Sequence, residues 1–126
     1  MNLIDFRELN KLYDGDQTFQ QEIVTSFVER IPAYLDCLRV SLHQQDVESL
    51  LIYACQLRAV AKRCCVNEVH VLCGMLEKQV RIQKFASAAI TLQRIQKIMS
   101  HVQAEYLRSQ YRTKLEKSRR RGFDRN

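Results

Sequence analysis

The chain has 126 residues, of which 46% are hydrophobic and 27% charged, a composition typical of one soluble domain large enough to bury its own core. It contains one Pro, three Gly and no Trp, and this shortage of turn residues favours a few long helices. No apolar run is long enough to cross a membrane, and the acidic start of the chain differs from a secretory signal, so we expect a cytoplasmic protein without a membrane span.

The net charge of +6 is concentrated at the C-terminus. Residues 112–126 contain seven Lys or Arg and two acidic residues, a net charge of +5, which leaves about +1 for residues 1–111. We therefore predict a nearly neutral helical domain over residues 1–111 and a basic, disordered tail over residues 112–126. The tail lacks interleaved aromatic residues, which favours a solvated end over contact with nucleic acid or acidic lipid head groups.

The helix signals follow one another along the chain. A short first helix is predicted at residues 6–12 behind Asp5 as N-cap, and Gly15 supplies the backbone freedom that ends this region. Apolar residues at helical spacing then predict a long second helix over residues 18–43.

Three more helices are predicted after it. Asp46 is the expected N-cap of the third, which runs to about Cys64, Asn67 is the expected N-cap of the fourth, and Ser87 opens a fifth that ends near Tyr111. The buried stripe of the third helix is expected to comprise Leu50, Ala54, Leu57, Ala61 and Cys64. Four long amphipathic helices with short connections predict an all-α fold, an antiparallel four-helix bundle with the first short helix as a lid.

The cysteines predict reduced thiols. Their number is odd, no CxxC pair occurs, and no His and Cys set has zinc-ligand spacing, so we expect no disulfide framework, no metal and no cofactor. Most should lie on buried helix faces, where a thiol behaves as a small hydrophobe. The five are Cys37, Cys55, Cys64, Cys65 and Cys73.

The outward flank of the third helix mixes apolar residues, two cations and a thiol. Such a mixture is typical of a surface that binds another protein. Arg58 is long enough to reach an acidic pocket of a partner. The alternative for Leu51 and Ile52 is that the first helix, through Phe6 or Leu9, covers part of them. The six residues of the predicted docking face are Leu51, Ile52, Cys55, Arg58, Ala59 and Lys62.

Over residues 6–107 the chain resembles the histidine-containing phosphotransfer (HPt) domain of bacterial multistep phosphorelays. The matching landmarks, in chain order, are Asp14-Gly15-Asp16, Phe27, Pro32, Asp46, the segment Ala54-Cys55-Gln56-Leu57-Arg58-Ala59-Val60, and Leu76-Glu77. The family signature is Ala-His-x-Leu-Lys-Gly-Ser, so Cys55 stands at the position of the phospho-acceptor His. Arg58 replaces the Lys, Ala59 the Gly and Val60 the Ser. A thiol in the middle of a helix has neither an adjacent His nor a helix N-terminus to activate it.

The resemblance therefore implies a retained fold and a lost activity. The function it implies is that of a non-catalytic binding module of two-component signalling, which docks a receiver domain or a histidine kinase through the Cys55 face without phosphotransfer. One alternative is an active phosphotransfer protein that uses an unexpected residue, although His43, His70 and His101 do not match the family position. The other is a nucleic-acid-associated helical protein that acts through its basic tail. Nothing resembles a nucleotide loop or a catalytic triad, so we expect no enzyme.

Overall fold

The computed structural model describes residues 2–124, and the side chains of residues 2–119. These residues form helices and no strand, so the predicted all-α class is confirmed. None of the described helices is long and apolar enough to cross a membrane. The five helices are α1 (Phe6–Leu12), α2 (Gln17–His43), α3 (Val47–Arg63), α4 (Asn67–Arg81) and α5 (Phe85–Asp124).

Aspartate side chains begin the first three helices. Asp5 and Asp46, both predicted as N-caps, each accept a hydrogen bond of 3.1 Å from the backbone N–H three residues later, and Asp16 accepts one of 3.0 Å at the start of α2. These bonds satisfy an amide that has no partner within the helix. Gly15 has a φ of 76°, so a glycine fits the turn between α1 and α2.

The start of α4 differs from the prediction. Asn67 is not the N-cap but the first helical residue, and the N-cap is Val66, whose side chain makes no capping bond. The Asn67 amide instead donates to Glu8 Oε2 at 3.2 Å, which joins α4 to α1. The helix begins there because Cys65 takes a left-handed φ of 57° and turns the chain immediately before it.

The end of α5 also differs from the prediction. The sequence predicts a helix that ends near Tyr111 and a disordered tail, whereas α5 continues as helix to Asp124. Lys, Arg, Glu and Leu are good helix formers and no Pro interrupts them, which accounts for the continuation. The side chains of residues 112–119 are exposed except for the half-buried Thr113, and residues 125–126 lie outside the described part of the chain. At its other end, α5 starts at Phe85, two residues before the predicted Ser87.

One hydrophobic core joins the helices. The predicted stripe of α3 is confirmed, because Leu50, Ala54, Leu57 and Ala61 are 0% exposed and Cys64 is 2% exposed. The neighbours of α3 are α2 and α4, and α5 packs on both of these. The prediction that most cysteines are buried is confirmed for three of the five, which are Cys64, Cys65 and Cys73. All five are free thiols.

Candidate functional site

The predicted docking face divides into an exposed and a half-buried part. Cys55, Ala59 and Lys62 are exposed, and the Ile52 side chain is 49% exposed. These four residues are spaced by three or four positions, so they lie along one side of α3. Leu51 is half-buried and packs against the core. The structure therefore brings four of the six predicted residues together at the surface of one helix.

The first helix does not cover this surface. Phe6 lines two cavities beside residues of α5, and Leu9 is 1% exposed in the core. Tyr13, which follows α1, contacts the C-terminal end of α3, because its Oη donates to the Arg63 carbonyl at 2.8 Å. Ile52 is consequently an apolar side chain that faces solvent.

Arg58 is directed toward α4. Its Nε lies 2.7 Å from Glu77 Oε2, and its Nη2 donates to Glu77 Oε1 at 3.4 Å. The Nε contact is close without hydrogen-bond alignment, so Nη2 makes the hydrogen bond of this ion pair. Nη2 also lies 3.8 Å from Cys55 Sγ, and the contacts with Cys55 and then Glu77 raise the pKa of Arg58 above its ordinary value.

The pairing limits what Arg58 can do for a partner. The Glu77 side chain is only 6% exposed, whereas that of Arg58 is 40% exposed. If Arg58 moved to an acidic group of another protein, the Glu77 carboxylate would remain buried without its cation, and that arrangement is strongly unfavourable. In this structure the guanidinium therefore neutralises Glu77, and Lys62 is the exposed cation at the end of the face.

Three residues of α4 border the same surface. His70 Nδ1 lies 3.2 Å from the Arg58 carbonyl oxygen, and Glu77 contacts the Arg58 guanidinium. Gly74 is four residues after His70 and three before Glu77, so it lies between them on the face of α4 that is turned toward α3. A Cβ added at Gly74 would meet no atom within 4 Å. Bare backbone therefore borders an open space beside Arg58.

We call these residues the Cys55 surface: Ile52, Cys55, Ala59 and Lys62 of α3 with His70 and Gly74 of α4. Sequence reasoning identified the α3 residues but not those of α4. One signal in the sequence points to the α4 part of this surface. Gly74 stands inside an apolar helical pattern, where Gly lowers helix stability, so its presence there indicates a packing or functional reason. Glu77 appeared in the sequence only as a landmark of the resemblance.

Cys55 is the exposed thiol of this surface, whereas Cys64 and Cys73 are buried. Burial raises the pKa of Cys73 to about 12 and that of Cys64 to about 11, so both remain protonated thiols of the core. No group of three His, Cys, Asp or Glu side chains that could hold a metal occurs among the residues the structure describes.

Two large apolar side chains are exposed on the outer face of α4, Val71 at 60% and Met75 at 39%. Ile82, the residue that follows the helix, is 62% exposed. Large exposed apolar side chains in contiguous groups are typical of interaction sites.

No protein-family model, no curated protein and no solved structure matches the chain.

Proposed function

We propose that the chain is a degenerate HPt-like four-helix bundle that acts without chemistry as a binding module of two-component signalling. Its partner is a response-regulator receiver domain or a histidine kinase, which docks on the Cys55 surface. The observation that supports this best is the centre of that surface, where Ile52, Cys55 and Ala59 are exposed and uncharged while the neighbouring Arg58 is paired with a buried Glu77. An uncharged centre with a charged edge is the usual composition of a protein interface.

Contacts between the long helices support an antiparallel bundle. Thr91, near the start of α5, donates to Gln79 Oε1 near the end of α4 at 2.7 Å. Thr25, in the first half of α2, shares a hydrogen bond of 2.9 Å with Tyr106 of α5, twenty-one residues after that helix begins. Both contacts join the start of one helix to a later part of another, as antiparallel packing requires. The backbone N–H of Asp5 donates to the Cys65 carbonyl at 3.0 Å, which holds the lid helix on the bundle.

The charges around Cys55 argue against phosphoryl transfer. A phosphoryl group in transfer is stabilised by positive charge directed at its oxygens. The nearest cation, Arg58, already neutralises Glu77 at 2.7 Å. A phosphoryl group at Cys55 would therefore meet a surface with little net positive charge.

A second candidate function follows from His70. This side chain is part of the Cys55 surface, and its Nδ1 lies 3.2 Å from the Arg58 carbonyl oxygen. If Nδ1–H donates to that carbonyl, Nε2 has the lone pair of a nucleophile. Active phosphotransfer through an unexpected residue, one of the alternatives raised by the sequence, would then use His70.

Capture of partners from the source cell tests the docking proposal. Full-length chain on a resin should enrich proteins that contain receiver or histidine-kinase domains, as identified by mass spectrometry. Ala59→Arg should reduce this enrichment at least about tenfold, because it forces an unpaired charge into the contact. Gln93→Arg is the matched control, since Gln93 is exposed on α5. Equal enrichment by the two variants, or no enrichment of such proteins, would show that the proposal is wrong.

A further inference from the structure

The second half of α5 has an apolar stripe on its outer side. Leu107 and Tyr111 are each 65% exposed and Leu115 is 40% exposed. Among the described large apolar side chains, none is more exposed than Leu107 and Tyr111. Because the three are spaced by four residues, they lie one above the other on the same side of the helix. We call them the outer stripe.

The rest of the protein lies on the other side of this helix. Val102 is 0% exposed, and Tyr106 is hydrogen-bonded to Thr25 of α2. Further along α5, Thr113 lines a cavity with the start of α2. These residues mark the inward side of α5. At 3.6 residues per turn the outer stripe lies away from them, so nothing in this arrangement hinders a flat surface from approaching it.

Cations flank the outer stripe on both edges. By helical spacing, Arg108, Arg112 and Arg119 follow one edge and Lys114 follows the other. Glu116, the one acid between residues 107 and 119, lies away from the outer stripe and lines a cavity with Asn2, Arg108 and Arg112. The outer side of this helix therefore combines apolar residues with positive charge.

This combination selects among possible partners. A second copy would bring two rows of cations together, which like-charge repulsion opposes. Nucleic acid would pair with the cations but leave Leu107 and Leu115 in water. An anionic lipid surface meets both requirements, because apolar side chains enter the boundary between head groups and acyl chains while Lys and Arg reach the phosphates. We propose that the outer stripe of α5 and its flanking cations bind an anionic phospholipid surface.

Vesicle sedimentation tests this proposal on the full-length chain. The chain should sediment with vesicles of mixed phosphatidylglycerol and phosphatidylcholine and stay in solution with pure phosphatidylcholine. Lys114→Gln with Arg119→Gln should weaken binding on the order of 30-fold, since each cation near an anionic surface is worth roughly fivefold. Added salt should weaken it further.

A second variant separates the apolar contribution from the charge. Leu107→Ser with Tyr111→Ser leaves every charge in place and should weaken binding by at least about tenfold. Val40→Ser is the matched control, because Val40 is 55% exposed on α2, and it should bind as the unchanged chain does. Circular dichroism should report the same helicity for all of these variants, whose altered side chains are exposed.

Several outcomes would overturn the proposal. The first is that the chain does not bind the anionic vesicles. The second is that the Leu107→Ser/Tyr111→Ser variant binds them as tightly as the unchanged chain does, which would indicate attraction of charge alone. Tighter binding to DNA or RNA than to vesicles would assign the cations to nucleic acid, and a dimer in light scattering that the serine variant abolishes would assign the stripe to self-association. Capture of receiver domains should not change in these α5 variants, so the two proposals fail independently.

Discussion

Arg58 of α3 and Glu77 of α4 form an ion pair in which the Glu77 side chain is much less exposed to solvent than the Arg58 side chain. Nε and Oε2 are 2.7 Å apart, and the side chains are 40% and 6% exposed respectively. The two partners are therefore not equivalent. Arg58 can turn to water if Glu77 is removed, whereas the Glu77 carboxylate has no comparable access if Arg58 is removed.

The first prediction uses this asymmetry. Arg58→Ala should clearly lower the free energy of unfolding, because it leaves the Glu77 carboxylate buried without a cation. Glu77→Gln should cost less, since the freed guanidinium reaches solvent. Urea denaturation followed by circular dichroism measures both. Lys62→Ala, an exposed change on the same helix, should stay within about 0.5 kcal/mol, and an equal loss in all three variants would contradict the buried pair.

The second prediction concerns Gly74. Gly74→Ala should raise the free energy of unfolding by about 1 kcal/mol, because Ala is the better helix former and the added methyl meets no atom within 4 Å. If a partner approaches the bare backbone, the same variant should bind that partner less tightly. Thermal and urea denaturation give the first effect and titration of the captured partner gives the second.

A reciprocal variant is the control for Gly74. Ala59→Gly changes an exposed helical residue of α3 in the opposite sense and should lower the free energy of unfolding by about 1 kcal/mol. A stability loss in Gly74→Ala would mean that the space beside Gly74 is not open.

The third prediction concerns the accessibility of the five thiols. Cys55 is exposed and Cys37 half-buried, whereas Cys64, Cys65 and Cys73 are buried. A disulfide-exchange reagent at pH 8 should therefore modify Cys55 first and the three buried thiols only slowly. Peptide mapping after timed quenching identifies the order. In urea all five should react at similar rates, and fast labelling of Cys73 in the native chain would contradict the described core.

The fourth prediction is a loss of stability at alkaline pH. Burial first, and the Glu77 carboxylate second, raise the pKa of the Cys73 thiol from 9.0 to about 12. Below pH 9 the thiol is protonated in both the folded and the unfolded chain. Between pH 9 and 12 the unfolded chain loses the proton and the folded chain keeps it, so the free energy of unfolding falls by up to about 1.4 kcal/mol per pH unit.

A variant without this thiol isolates its effect from other groups that titrate at alkaline pH. Cys73→Ala should be less stable than the unchanged chain at pH 7 because it leaves a cavity, but the difference should narrow as the pH rises from 9 to 11. Parallel pH dependences of the two proteins would show that the Cys73 thiol does not contribute.

The features of the fold that depend on local interactions can be predicted from the sequence. Asp5 and Asp46 begin helices because a carboxylate before an apolar periodic segment satisfies free amides, and the buried stripe of α3 follows from helical spacing alone. The start of α4 was mispredicted because Cys65 adopts a left-handed φ of 57°, a conformation for which Cys has no preference. Gln45 and Gln83 turn the chain in the same way, with φ of 53° and 58°.

The candidate site was only half predictable for a different reason. Periodicity places Ile52, Cys55 and Ala59 on one side of α3 without any knowledge of the other helices. The direction of Arg58 and the positions of His70 and Gly74 depend on how α4 packs against α3. That packing is set by side chains distant along the sequence, and no single helix encodes it.

The last prediction concerns chemistry at the Cys55 surface. Incubation of the chain with a phosphorylated receiver domain, followed by intact-protein mass spectrometry at neutral pH, should show no phosphate adduct. The reason is that Cys55, which the resemblance aligns with the phospho-acceptor His, is a thiol and that Arg58 beside it is neutralised by Glu77 at 2.7 Å. An active HPt protein treated in parallel is the positive control. An adduct that His70→Ala abolishes would instead establish the second candidate function, whereas an adduct that only Cys55→Ser abolishes would make the thiol a nucleophile. Either result would replace the binding module by a protein that accepts a phosphoryl group from the receiver's aspartyl phosphate.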